Sequence, residues 1–409
     1  MTTCREALDL ILASAAPLSA RPTGLFDALG LVLADRVVSP ETVPPFTNSA
    51  MDGYAVRHDD LSPASVASPV LLDVLADLPA GSIAAHEVRS GTAIRIMTGA
   101  PLPAGADSVV PVESTLSEGN RVRITAPVKR GANVRLAGED LREGEELLPA
   151  GFVLTPASLG ILASVGIAEV AVRPRVRVAI LTTGDELVDA SAKPGPGQIR
   201  DSNVQTMCGQ ALAFGATPVP IPRVPDTREA VTAALARARA EADVIVTNGG
   251  ISVGDYDFVK AVLAEAGARE VFWKVKQKPG GPLGFWLWNG APVFGVPGNT
   301  VAAMVCMEEY VRPALRKMMG RSKLLRPEAT ATFEGDFRKS APDGKVHLIR
   351  VRARRDGDRV VVSPSGPQGS GILSSMLRSN ALALVPADAT ELKSGDEVLV
   401  HLIEEPEDR

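Results

Sequence analysis

Residues 243–260 read DVIVTNGGISVGDYDFVK: an apolar β-branched run (Val244, Ile245, Val246) closes in Thr247 and Asn248. A glycine-rich loop (Gly249, Gly250, Gly254) follows, and a helix begins at about Asp257. A strand that feeds a helix through such a loop gathers backbone N–H groups and the positive end of a helix dipole around one point. That is an anion site, most often for phosphate. Asp255 and Asp257 stand in the same loop and would repel a phosphate unless a divalent cation lay between them. The pairing points to metal-assisted phosphate chemistry.

A chain of 409 residues is too long for one ordinary domain, and about two to four are expected. Hydrophobic residues make up 45% and aromatics 4%, so the cores must be aliphatic and alanine-rich. A formal charge of -5 without a basic run argues against nucleic acid as the main partner. Cys4, Cys208 and Cys306 are odd in number and widely spaced, which predicts neither a disulfide framework nor a CxxC metal site and suits a reducing cytoplasm. The amino-terminal stretch MTTCREALDLILASAAPLSA is interrupted by Glu6 and Asp9 and reads as an amphipathic helix rather than a signal sequence. Thr3 to Glu6 fits a capping box, and Leu8, Ile11 and Leu12 share a face. No apolar run of 18 residues occurs, so a soluble protein with no membrane partner is expected.

Residues 40–138 carry short β-type runs (107–112, 121–124, 133–136) separated by Gly, Pro and Ser, which indicates a small β-rich domain. Thr155-Pro156 is a helix start, with an N-cap followed by proline at the first helical position, and the helix should end near Gly166 before a strand at 168–172. Between 175 and 320, strands at 176–181, 243–247, 270–275 and 292–296 alternate with helices at about 203–214, 226–241 and 301–319. That spacing predicts a parallel, helix-flanked sheet with its ligand beyond the carboxyl ends of the strands. From 321 onward the period returns to two (346–353, 359–363, 381–385, 397–403), as in a small β-barrel or sandwich.

Three loops leave strand ends in the α/β segment and should converge: Thr182 to Glu186, Asn248 to Asp255, and Pro297 to Thr300. A glycine turn alone is ordinary, but three on one sheet edge make a ligand site. Thr183, Gly249, Gly250, Ser252 and Pro297 belong to it. Glu186 reads either as a solvated turn carboxylate or as a ligand to Mg²⁺. Asp226 opens Asp-Thr-Arg-Glu, a capping box for helix 226–241, and Asp201 is an equivalent cap for the helix near 203. Lys274, Lys276 and Lys278 alternate as on one strand face, either solvated or in contact with an anion. His58, His86, His347 and His401 lack metal spacing, and there is no GxxxxGK[ST], GxGxxG or GxSxG motif.

Together these segments resemble the MoeA-type molybdopterin molybdenumtransferases, the family that includes the carboxyl-terminal part of gephyrin. The motifs that carry the resemblance run over nearly the whole chain: PPFTNSAMDGYAV (44–56), AIRIMTGAPLPAGADSVVPVE (93–113), NVRLAGEDLREGE (133–145), ILTTGDEL (180–187), GQIRDSN (197–203), TNGGISVGDYDFVK (247–260), FWKVKQKPG (272–280), VPGN (296–299) and GPQGSGILSSML (366–377). The resemblance implies a multidomain α/β plus β architecture. Its parts are an elongated helical domain (1–45 and 139–173), a β-rich insertion (46–138), a doubly wound molybdopterin-binding α/β domain (174–320) and a carboxyl-terminal β-barrel (321–409). It further implies a cytoplasmic homodimer in which the Asp52 region of one subunit completes the α/β site of the other. The implied reaction takes adenylylated molybdopterin and molybdate, releases AMP and leaves molybdenum on the dithiolene, with Mg²⁺ as helper. Molybdopterin adenylyltransferase and apo-molybdoenzymes are the implied protein partners. By motif position the family's residues fall on Asp52, Thr98, Arg135, Asp140, Glu186, Asp226, Asp257, Lys274, Lys278, Pro297 and Ser370. Within them Glu186 and Asp257 are assigned to Mg²⁺ or substrate positioning. Lys274, Lys278 and the Gly249–Gly250 amides are assigned to phosphates, and Thr98, Arg135 and Asp140 to molybdate or the pterin.

Two positions depart from the family pattern. Gly281 stands where the second lysine of Lys-Pro-Gly-Lys-Pro is usual, and Thr300 replaces the last proline of Pro-Gly-Asn-Pro. A lost charge-assisted contact at 281 would weaken phosphate binding by roughly one to three kcal/mol. Two competing functions follow from the same likeness. An adenylyltransferase would resemble the α/β domain alone and lack the flanking domains, and a gephyrin-like binding scaffold would need a peptide groove that no segment marks.

Overall fold

The computed structural model describes residues 1–250, 258–340 and 342–406. Two compact units divide them: Met1–Pro22 with Ala171–Arg409, and Thr23–Val170.

In the first unit a six-stranded sheet runs in the order Thr217–Val224, Arg177–Thr183, Val244–Asn248, Ala291–Val296, Gly284–Trp288, Arg269–Trp273. The first four strands are parallel and Gly284–Trp288 is antiparallel to Ala291–Val296. Its central strands are apolar on both faces, as a sheet covered on both sides requires. Val178, Ile180, Val244, Val246 and Phe294 face one core, shared with the helices Cys4–Ser14 and Asn203–Ala213. Ala179, Leu181, Ile245 and Val293 face the other, shared with the helices Arg228–Glu241 and Phe258–Glu265. The sheet is doubly wound, as the alternating pattern predicts. Cys4–Ser14 is closed by the capping box expected of Thr3 and Glu6.

Beyond this sheet, strands Val346–Asp356, Arg359–Pro364, Glu328–Phe333, Glu397–Leu402 and Ala381–Val385 pair in that order, and the last pairs back onto the first. The carboxyl-terminal region is therefore a closed five-stranded barrel. Ile349, Val351 and Ala353 point into its core, while Leu348 packs outward against Val301 and Val305 of the helical run 300–318. Gln277–Lys278 adds as an edge to the barrel strand Val346–Asp356.

The second unit holds a six-stranded sheet in the order Ser108–Pro111, Gly53–Val56, Thr92–Ile96, Val70–Leu78, Arg121–Ile124, Thr115–Glu118. Tyr54 and Val56 serve a core on one face, and Ala55, Ile94 and Ile96 on the other. Its helix Pro156–Ser164 starts where Thr155-Pro156 predicts: Thr155 accepts from Ser158 N, and Ser158 Oγ accepts from Thr155 N.

Three local expectations are corrected. The lysine stripe 274–278 is not one strand: pairing ends at Trp273, and Lys274 takes a left-handed φ of 72°. Thr2 inserts there, its N–H donating to Lys274 O and its carbonyl accepting from Lys276 N. Helix 226–241 begins at Arg228 and is capped by Thr227, not Asp226, since Thr227 Oγ1 accepts from Ala230 N. The long helix after 300 contains a π turn at Met307–Val311. Pro313 explains that widening, because its ring clashes with the carbonyl four residues back and offers it no N–H. Among the described residues no helix is long and apolar enough to cross a membrane.

Candidate functional site

Parallel register brings the three loops of the α/β sheet to one edge. Thr182 pairs with Asn248, and Asn248 with Val296, so residues 183–186, 249–250 and 297–300 leave the sheet at one level. A polar lattice, buried at Asn248 and open to solvent at Gly298, holds them together. Asn203 Nδ2 donates to Asn248 Oδ1 at 2.7 Å and to Gly298 O at 2.6 Å, while Asn248 Nδ2 donates to Pro297 O at 2.6 Å. Asp201 joins Thr182 Oγ1 and accepts from Val204 N, so it does cap the helix at 203 as expected.

Glycine is required at two of these tips. Gly249 has φ 90°, and a Cβ there would lie 2.8 Å from Thr183 Oγ1 and 3.2 Å from the Thr183 carbonyl. Gly184 has φ 150°, and the Glu186 carboxylate folds back to 2.5 Å from where its Cβ would stand. Asp185 and Glu186 are exposed, and Asp226 N donates to Asp185 Oδ1 at 3.2 Å. Three carboxylate-bearing residues thus cluster around the Arg177–Thr183 tip. Among the described residues no three His, Cys, Asp or Glu side chains form a metal cage by themselves. Ser252 and Asp257 lie outside the described residues.

A second feature joins this edge from the barrel side. Val301 N donates to Ser370 O, tying the start of the helix at 300 to the turn that carries Ser370. The Ser370 turn in turn borders a cleft of about 430 Å³ lined by Lys278, Lys339, His347, Arg350, Gln368 and Ser370 among others, with no Asp or Glu in its described lining. Arg350 is 1% exposed, and its guanidinium donates to Ser375 Oγ and to the carbonyls of Pro367 and Gly369. Burial pushes it down to about 10, still charged at neutral pH. Lys274 does not line this cleft; its Nζ lies 4.1 Å over the Trp273 ring. The structure therefore groups Thr183, Glu186, Asp226, Gly249, Gly250 and Pro297 at the sheet edge and Lys278 with Ser370 in the adjoining cleft.

The remaining candidates belong to the second unit and are strung along segment 43–52. Asp52 Oδ1 accepts from Thr98 N at 2.8 Å and Thr98 Oγ1 at 2.7 Å, and these two bonds hold its carboxyl below the usual carboxylate range. Arg135 pairs with Asn48, Gly99 N donates to Ser49 O, and Asp140 N donates to Val43 O. Arg135 and Asp140 are exposed.

Arg350 lies in none of the quoted motifs, and Asn203 and Asn248, though inside GQIRDSN and TNGGISVGDYDFVK, carry no individual role in the sequence reading. Alternation in 346–353 does place Arg350 on the outer face of its strand; what it cannot show is that this face is covered.

Three family models match the chain: the MoeA N-terminal region (domain I and II) over residues 2–166, a probable molybdopterin binding domain over 179–317, and the MoeA C-terminal region (domain IV) over 335–403. Molybdopterin molybdenumtransferase 2 of Mycobacterium tuberculosis is 38% identical over 381 residues, covering 92% of this chain and 93% of its own. The molybdopterin molybdenumtransferase of a Nostoc species is 38% identical over 385 residues, covering 92% of this chain and 87% of its own. A crystal structure of a molybdopterin biosynthesis MoeA protein from Pyrococcus horikoshii is 30% identical with a TM-score of 0.76, covering 98% of this chain and all of that one. Fold and site thus define a multidomain enzyme of molybdenum cofactor biosynthesis, built around a molybdopterin-binding type of α/β domain. The chain belongs to the MoeA family, the molybdopterin molybdenumtransferases.

Proposed function

We propose that this chain takes molybdate and adenylylated molybdopterin, cleaves the phosphoanhydride with release of AMP, and leaves molybdenum on the dithiolene. The observation that carries the reading is the cleft of Lys278, Arg350, Gln368 and Ser370, without an acid in its described lining and tied to the start of the helix at 300 by the Val301 N–Ser370 O bond. A small tetrahedral dianion is held best by fixed positive charge with hydroxyl donors. This cleft offers Lys278 and Arg350 with the Ser370 hydroxyl, the Gln368 amide being spent on the Arg350 and Gly366 carbonyls. Beside it, the Gly249–Gly250 amides and the adjoining tips suit the phosphates of a nucleotide-linked pterin, in the position where open α/β sheets take ligands. Molybdate and pterin would then sit next to each other.

Mg²⁺ is part of this proposal. Glu186, with Asp185 beside it and Asp226 bonded to Asp185, offers the hard carboxylate oxygens that suit an ion completed by water and substrate phosphates. Asp257 is the further candidate ligand. When bound, the ion supplies charge neutralisation at the bridging phosphates. Glu186, folded back over Gly184, would be one of the residues that hold the ion, and Lys278 would hold molybdate in the adjoining cleft. The four-domain division at 45/46, 138/139, 173/174 and 320/321 and a cytoplasmic setting belong to the same reading. So does a homodimer, in which the Asp52–Thr98 pair, Arg135 and Asp140 of a second copy complete the site. Molybdopterin adenylyltransferase would supply the substrate and apo-molybdoenzymes would take the product.

The test is AMP release by the purified chain from adenylylated molybdopterin in Mg²⁺, with and without molybdate. AMP that appears only with molybdate supports the transferase. Pyrophosphate release from ATP and molybdopterin would replace it with the adenylyltransferase, and full cofactor-dependent activity in cells carrying Glu186→Ala would favour a scaffold.

A further inference from the structure

Gln277 lies between exposed Lys276 and Lys278 yet is itself 1% exposed. Its side-chain amide is used on every side. Oε1 accepts the hydroxyl of Tyr310, which is 2% exposed and sits in the π turn, and also faces Cys4 Sγ at 3.8 Å. Nε2 donates to Pro279 O at 3.0 Å and contacts Cys306 Sγ at 4.0 Å. The surroundings are apolar: Val275, Cys306, Met307 and Tyr310 belong to one core cluster. An amide in such a place is costly unless satisfied, and satisfied it fixes geometry more sharply than an aliphatic side chain would.

What it fixes is the turn that carries Lys278. A Cβ at Gly280 would meet Gln277 Nε2 at 2.6 Å, and one at Gly281 would meet Gln277 O at 2.9 Å. The turn 279–281 is therefore wrapped around residue 277, by side chain on one side and backbone on the other. The same contact leaves no room for a lysine at 281 without a shift of the loop, so Lys278 is the single cation within 277–282. A cleft that depends on one loop cation depends on where that cation points.

We propose that Gln277 is a positioning residue for the oxyanion cleft, coupling Tyr310 of the π turn through the Pro279 carbonyl to the direction of Lys278. The inference rests on the reading of Lys278 as an oxyanion contact. Losing a charge-assisted contact costs on the order of tenfold to a hundredfold in affinity, so misdirecting the Lys278 ammonium is felt in binding.

The experiment compares Gln277→Met, Tyr310→Phe, their double variant and Lys278→Met in the full chain. It reads molybdate affinity by calorimetry with sodium molybdate, KM for molybdate and kcat in AMP release, and Tm. Gln277→Met keeps the volume and removes both hydrogen bonds. The expected result is a rise of about tenfold in molybdate KM and Kd with kcat within about twofold. Tyr310→Phe gives a smaller rise in the same direction, and the double variant is no worse than Gln277→Met alone, as for two members of one chain of contacts. A Gln277→Met enzyme with unchanged molybdate KM overturns the proposal while Lys278→Met still raises it. So does a Gln277→Met enzyme whose Tm and kcat fall with KM unmoved, which marks a purely structural role. If Gln277→Met does not fold, Tyr310→Phe with unchanged KM overturns it equally. Unchanged KM and Kd in Lys278→Met instead overturn the oxyanion reading of that lysine, and the positioning role with it.

Discussion

Asn203 and Asn248 meet amide to amide, Nδ2 to Oδ1 at 2.7 Å, although one opens a helix and the other closes a strand. The bond, continued from Asn203 to Gly298 O, joins two strand tips into one edge. Asn203→Leu keeps the branched heavy-atom skeleton but leaves two acceptors without this donor. It should cost roughly 1–3 kcal/mol, read as a lower urea midpoint at unchanged m-value, with activity falling further than stability because the tips separate.

Gly249→Ala adds one methyl group where φ is 90° and Thr183 already stands at 2.8 Å. The backbone strain alone is on the order of 1–2 kcal/mol. Because the contact falls on a tip residue, AMP release should drop by at least tenfold while a Gly267→Ala control, whose Cβ would meet nothing within 4 Å, loses stability only.

Arg350→Lys keeps a charge in the cleft but gives up the planar fork that holds the Pro367 and Gly369 carbonyls. Loss of about 1.5–3 kcal/mol of charge-assisted bonding should loosen the turn carrying Ser370 and weaken molybdate binding by about tenfold or more, as calorimetry would show. Unchanged affinity would remove Arg350 from the site.

His401 Nδ1 lies 2.9 Å from Glu309, joining the barrel to the π turn, with Glu328 3.5 Å from its other ring nitrogen. Burial opposes the charge, but the Glu309 bond and the two carboxylates outweigh it and raise the imidazole above 6.5. A raised folded value stabilises the protein fully below the unfolded value and loses that contribution as pH rises through the folded one. The stability difference between wild type and His401→Gln should therefore be largest near pH 6 and shrink as the pH is raised beyond 6.5. A difference that grows with pH would contradict the arrangement.

In the second unit, Thr98→Val removes the hydroxyl donor to Asp52 and leaves the backbone donor. The Asp52 titration, followed by carboxyl carbon NMR, should move up toward 3.8 while remaining below it.

Much of this was legible because period and punctuation are local. Thr3 with Glu6 and Thr155-Pro156 declare helix starts within four residues, and the 3.6-to-2 change of period near 321 marks the barrel. Glu186, Lys278 and Ser370 could be named from their motifs. Arg350 lies outside every motif, and Asn203 and Gln277, though inside GQIRDSN and FWKVKQKPG, show no role there, since Asn248, Gly298 and Tyr310 are distant in the chain. The broken lysine stripe has the same origin: alternation in 274–278 is genuine, but Thr2 pairs with both sides of Val275 from the opposite end of the chain. Asp226 misled for a smaller reason: two adjacent capping residue types compete, and the helix starts at Arg228, so that Thr227 Oγ1 accepts from Ala230 N.

The first unit is assembled from two stretches of chain, Met1–Pro22 and Ala171–Arg409. Helix Cys4–Ser14 rests on partners such as Lys317, whose ammonium donates to the Leu12 carbonyl, 305 positions later. A ribosome working from the amino end thus delivers this helix long before its seat, with the whole of Thr23–Val170 made in between. Birth order and docking order are reversed for that segment, so slowing translation near codon 318 should prolong the interval in which its apolar face is open to chaperones.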